Sequence, residues 1–217
     1  GFNADVAHEL CTPLATLIAN NELALRRPEQ ADMREVLASN LEELHRLTAI
    51  VNDMLFLSQA DRGVGARRVP VASLASMAAD VLDYHEAALA EAGLTAEVVG
   101  DAPGAFDVPL LRRALSNLLG NATRYAKNGS IVQVTFKPSD EDRVLIRVAN
   151  CGDTIDPEVL PHLFDRFFRG DPARSHGQSN HGLGLAIVGA IARMHQGKPV
   201  AWSENGVTSV GVEIRAL

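Results

Sequence analysis

The stretch FNADVAHELCTPL, Phe2–Leu14, reads as helix from its first residue. Val6, Leu10, Leu14 and Leu17 recur at spacings of four, four and three, which puts them on one helical face. Pro13 lies inside that helix. It leaves the Glu9 carbonyl without its usual donor and should bend the axis beside His8. After a short break at RRPEQ, Arg26–Gln30, a second pattern begins. Leu37, Leu41, Leu44, Thr48, Val51 and Leu55 recur at four, three, four, three and four, a heptad seam. So short a connection makes the two helices antiparallel neighbours. Two helices cannot cover two apolar stripes alone, so the pattern predicts a homodimeric four-helix bundle through residues 1–61.

Residues 62–70 read as a linker, dividing the chain into expected domains at 1–66 and 67–217. Beyond it, Val71–Glu91, Val108–Tyr125 and Leu183–Met194 carry helical patterns. Ile131–Lys137, Arg143–Asn150, Val200–Glu204 and Val207–Arg215 are rich in β-branched residues and read as strands. Helices and strands mix without strict alternation, which predicts an α+β sandwich with helices on one sheet face. Asp171–His181 (DPARSHGQSNH) is polar and carries the residues of a mobile loop.

Composition narrows the class. The chain has 217 residues, 47% of them hydrophobic and 5% aromatic, and a formal net charge of -7. That balance argues against nucleic acid or an anionic membrane as the main partner. No apolar run approaches the roughly 18 residues of a membrane span. Cys11 and Cys151 are too few for a disulfide framework, so a reducing compartment is expected. The chain starts within a helix, with no leader before it, as a piece of a longer protein would.

Four clusters carry chemistry. Glu9 follows His8, and a carboxylate that takes the proton from one imidazole nitrogen leaves the other nucleophilic. Thr12 lies at i+4 from His8, on the same face, where it could position a water. A zinc site is incomplete, because Thr12 stands where the HExxH motif needs its second His. His8 with Cys11 supplies only two ligands. In LSNLLGNATRY, Leu115–Tyr125, Asn117 and Asn121 share one helix face, while Leu111, Leu115, Leu118 and Ala122 face the core. Amide oxygens are hard ligands suited to Mg²⁺, and Arg124, one turn on, could meet a phosphate. In NCGDTI, Asn150–Ile155, Gly152 lets backbone approach a ligand. HGLGLAIV, His181–Val188, opens a helix whose first amides favour phosphate. No Walker A loop exists to hold ATP by another route.

FNADVAHELCTPL resembles the H box of histidine kinases, and the three later clusters resemble their N box and two glycine boxes, in family order. LFDRFFR, Leu163–Arg169, resembles the Phe-rich box that anchors the ATP lid. The resemblance implies an α-helical hairpin, forming a dimeric four-helix bundle, then an α+β sandwich ATP-binding domain of the gyrase/Hsp90/histidine-kinase type. It implies ATP and Mg²⁺ as cofactors. His8 would be the phosphoacceptor, Glu9 the base, and Thr12 the residue supporting dephosphorylation of the partner. ATP would be held by Asn117, Asn121, Arg124, Tyr125, Asn150, Gly152, Ile155, Phe164, Phe167, Gly182, Leu183, Gly184 and Leu185, with Mg²⁺ on Asn121 and Asn117. Arg166 and Arg169 would touch phosphate or the other domain. Four positions depart from the family pattern: Cys11 replaces an Arg, Asn150 an Asp, and Thr154 and Asn180 each a Gly. The partner would be a response-regulator receiver domain.

Ser39–Asp61, Leu111–Tyr125 and Leu160–Arg174 further resemble the heavy-metal (copper/silver) sensor kinases of Gram-negative bacteria. This implies a cytoplasmic core of a bacterial inner-membrane protein with a periplasmic sensor. Two other readings stay open: an ATP-hydrolysing clamp, and an ATP-binding dimer scaffold or phosphatase-biased core.

Overall fold

The computed structural model describes residues 2–26, 32–140, 142–170 and 181–216. Helix α1 (Phe2–Arg26) runs through Pro13, and α2 (Met33–Asp61) is capped by Asp32, whose carboxylate accepts the Arg34 and Glu35 amides at 2.9 and 3.4 Å. The two helices pack as a hairpin. A polar layer ties them: the Asn20 amide donates to Ser39 Oγ at 3.1 Å, and that of Asn40 donates to Asn21 at 3.2 Å.

Only part of α2 is covered within one chain. Ile50 and Leu57 are buried, on the side that packs against the second half. Leu37, Leu41, Leu44, Val51 and Leu55 of the heptad seam are 44–60% exposed.

The second half adds β1 (Val69–Val71), α3 (Leu74–Glu91), β2 (Thr95–Val99), β3 (Gly104–Phe106), α4 (Val108–Tyr125), β4 (Ile131–Asp140) and β5 (Arg143–Cys151). A 3₁₀ turn at Leu160–His162 leads to α5 (Gly184–Met194), β6 (Lys198–Glu204) and β7 (Val207–Arg215). Five strands form one sheet in the order β2-β4-β5-β7-β6, with β2 parallel to β4 and the rest antiparallel. β1 and β3 form a separate antiparallel pair. On β5 the burial alternates strictly, so Val144, Ile146 and Val148 face the core.

Several boundaries differ from the sequence expectation. The helix expected from Val71 begins at Leu74, because the Ser73 hydroxyl accepts the Ser76 amide at 3.0 Å and caps it there. Val69–Val71, expected in the linker and the helix start, are strand. β6 starts two residues early and includes Pro199, which an edge strand tolerates.

One buried histidine fastens α5 to α4. His195 is fully buried; its Nδ1 donates to the Ile191 carbonyl at 2.9 Å, and its Nε2 accepts the Asp107 amide at 3.1 Å. That pairing requires the neutral ring, and burial holds its pKa below the ordinary 6.5. Asp107 in turn caps α4 by accepting the Leu110 amide at 3.2 Å.

Candidate nucleotide site and its contact with the hairpin

Helix α4 has two faces with different work. Leu111, Ala114, Leu115, Leu118, Leu119 and Ala122 are buried in the core. Asn117, Asn121, Arg124 and Tyr125 line a cavity of about 730 Å³. The Asp107 cap fixes where the helix starts, and the 3.6-residue period then carries both Asn amides to the cavity.

Asn150 enters from the end of β5. It is buried, and its amide nitrogen lies 3.4 Å from the Cys151 carbonyl, which leaves the amide oxygen as the acceptor. Thr154, in place of the family's Gly, accepts the Gly206 amide at 3.0 Å, while Gly152 donates to the Gly206 carbonyl at 2.8 Å. The Ile155 amide donates to Ser203 at 2.9 Å. The first glycine box is therefore stitched to the β6–β7 hairpin rather than left as an open turn. Gly152 itself lies under the Tyr125 carbonyl, where a Cβ would come within 2.6 Å.

The second glycine box brings α5 to the same cavity. Gly182, Gly184 and Leu185 line it, and a Cβ on Gly184 would lie 3.4 Å from the Asn117 amide oxygen. The helix N-terminus, with its unpaired amides, thus sits beside the Asn pair. At Gly182, φ is +67° and a Cβ would fall 2.7 Å from the Phe167 backbone. Phe167 also adopts positive φ, and its amide donates to the Gly182 carbonyl at 3.0 Å.

Nine of the thirteen expected ATP-binding residues line the cavity: Asn117, Asn121, Arg124, Tyr125, Asn150, Ile155, Gly182, Gly184 and Leu185. Gly152, Phe164, Phe167 and Leu183 do not. Leu183 is buried in the core, and Phe164 packs against Gly189 of α5. Asp156, Phe168, Arg169 and Thr208 also line the cavity; of these, the sequence points only to Arg169, as a phosphate contact. Phe168 and Arg169 belong to the Phe-rich box, Leu163–Arg169.

His8 lies in α1, but its side chain falls outside the described residues, as does Asn180. Glu9, the next residue, is held from the second half of the chain. Arg169 donates to its two oxygens at 3.0 and 3.2 Å, and His181 Nδ1 approaches Oε2 at 3.1 Å. Arg166 reaches both oxygens of Asp61 at 2.7 Å, and Arg113 reaches Asp53 at 2.6 Å while stacking on Phe56. Of the two destinations expected for Arg166 and Arg169, both take the hairpin, and Arg169 borders the cavity as well. None of the described α1 or α2 residues lines that cavity. Thr12 is exposed on α1.

Residues 1–63 match the His Kinase A (phospho-acceptor) domain, and residues 106–216 match the Histidine kinase-, DNA gyrase B-, and HSP90-like ATPase family. The chain belongs to the histidine kinases. Among its relatives, Sensor histidine kinase CusS of Escherichia coli (strain K12) is 43% identical over 205 residues, covering 94% of this chain and 42% of the relative. Sensor protein IrlS of Burkholderia pseudomallei (strain K96243) is 36% identical over 197 residues, covering 90% and 42%. CusS carries the resemblance to the heavy-metal sensor kinases. The chain spans about two fifths of the length of the curated relatives it matches. The fold agrees with that of Acinetobacter baumannii histidine kinase AdeS, with a TM-score of 0.80 over 96% of this chain and 98% of that one, at 21% identity. Full-length ShkA, solved in complex with AMPPNP, gives a TM-score of 0.73 at 25% identity over 86% of this chain and 40% of that one.

Proposed function

We propose that this chain transfers the γ-phosphoryl group of Mg-ATP to His8, and from there to an aspartate of a response regulator. The observation that carries the reading is the cavity beside Asn117 and Asn121, bordered by the start of α5 and joined through Arg169 to the helix that bears His8. Its volume suits a nucleotide, and its donor set suits a metal-bound polyphosphate: two neutral amide oxygens, an arginine and helix-start amides. Asn117 and Asn121 would hold Mg²⁺, which supplies charge neutralisation at the phosphates. The Asn150 amide oxygen would accept from the adenine amine. Arg124 would face the phosphates. Neutral His8 would attack through one ring nitrogen while Glu9 accepts the proton from the other. Thr12, on the same face, would position a water for dephosphorylation of the regulator.

The exposed Leu37–Leu55 seam supports a homodimer through residues 1–61. Among the described residues no helix is long and apolar enough to cross a membrane. We place the whole protein in a bacterial inner membrane, sensing a heavy metal through a periplasmic part beyond this chain.

Incubation with γ-labelled ATP tests the reaction. The expected label is acid-labile and base-stable, and absent from His8→Gln. Label that persists in His8→Gln sinks the assignment.

A further inference from the structure

Arg169 has two neighbours with competing claims. It lines the nucleotide cavity, and it also holds the carboxylate of Glu9. His181 has the second of these contacts without lining the cavity, and it is joined directly to Gly182, which does line it. Both partners are sheltered: the His181 side chain is 7% exposed and that of Glu9 14%. A small residue here could form no such bond.

We propose that His181 is a positioning residue that latches the ATP-binding half onto the phosphoacceptor helix, keeping Glu9 in a resting position until nucleotide phosphates draw Arg169 away. The inference rests on the kinase reading above.

Three observations converge on it. Glu9 is fixed by two donors from the other half of the molecule, and no described residue of its own helix reaches the cavity. The docked arrangement therefore separates the H box acid from the nucleotide site. Second, the His181 ring is suited to act as a neutral donor. Burial lowers its pKa most; Arg46 on α2 and Arg169 act in the same direction, and Glu9 on α1 opposes them. Third, the rim transmits movement. The Phe167 amide is bonded to the Gly182 carbonyl, and a Cβ at Gly182 would strike the Phe167 backbone. A phosphate that pulls on Arg169 thus acts on the segment packed against Gly182, next to His181. Polyphosphate carries more negative charge than one carboxylate, so it wins Arg169 from Glu9. The bond from His181 is then the last of the pair.

His181→Ala and His181→Asn test the latch, since Asn keeps a donor near the position of Nδ1. His8 labelling is followed against ATP concentration. We expect His181→Ala to raise kcat about tenfold, the worth of one hydrogen bond to a charged group, and to lower KM for ATP, since nucleotide no longer has to open the latch. His181→Asn should stay close to the parent. An unchanged or lower kcat in His181→Ala overturns the proposal, and so does His181→Asn behaving like His181→Ala. Small-angle scattering on the same proteins separates this from the kinase reading. The parent should expand on adding AMPPNP, and His181→Ala should be expanded without it. If the parent forms no His8 label, the kinase reading falls and scattering decides: identical curves for parent and His181→Ala overturn the latch.

Discussion

The two halves of this chain bury their apolar residues differently. In the ATP-binding half, α5 has seven consecutive buried residues, Ala186–Ala192, and α4 buries six. In the hairpin, α2 buries three of its 29 residues, and its Leu/Val seam faces outward. The second half in sequence is therefore the one that closes its core within a single chain. A sheet with helices laid over it closes a core within one chain. A two-helix hairpin has nothing to lay over its far stripe except another copy.

The largest test of that contrast is the double substitution Leu41→Lys with Leu44→Lys. If each half-exposed leucine gains roughly 1 kcal/mol on dimer burial, four such side chains weaken association on the order of a thousandfold. Sedimentation should show monomer, while ATP titration and the melting of the α/β half stay as they were. A dimer that survives would move the interface elsewhere. Next in size, Leu119→Ala in the fully buried face of α4 should cost about 2–5 kcal/mol in denaturant unfolding. The same change at Leu55 should cost the isolated chain far less.

Acid should act on the second half. His85, His181 and His195 all have pKa values held below 6.5, each chiefly by burial. The unfolded chain then takes up protons that the native state refuses. Stability present above pH 6.5 is lost as the pH falls below it, most of all through the fully buried His195. Asp101, held low chiefly by the Ala75 amide, and Glu213, held low chiefly by Ser139, add losses of the same sign only once the pH drops below their ordinary values of 3.8 and 4.5. Melting followed from pH 8 to 5 should fall, and a flat profile would contradict the neutral His195 pairing. The smallest effect expected is Asp107→Ala. It removes the cap of α4 and the bond from the Arg67 amide at 2.8 Å. It should cost about 1 kcal/mol by thermal melting.

What could be read from sequence followed the range of the signal. The α4 faces were legible because 3.6-residue periodicity sorts Leu118 from Asn121 within a single turn. β1 and β3 were not, since three residues containing Pro70 or opening on Gly104 carry no alternation to detect. β2, five residues long, escaped for the same reason and is held in place by β4. The glycine boxes were legible as local strings, whereas the cavity wall contributed by Thr208 exists only once β7 pairs with β5. Arg169 and Glu9 lie 160 residues apart, and nothing in either local pattern announces the other. Sequence left two destinations open for Arg169; tertiary packing supplied the carboxylate.

The asparagines between α1 and α2 have a mechanical consequence. Sliding one helix along the other by a turn, about 5.4 Å, would break the Asn20–Ser39 and Asn40–Asn21 bonds together and leave the buried Asn40 amide unsatisfied, at about 1–3 kcal/mol. Tilting or rotating the pair as a unit keeps both bonds. The hairpin thus resists sliding of one helix along the other more than tilting of the pair as a unit.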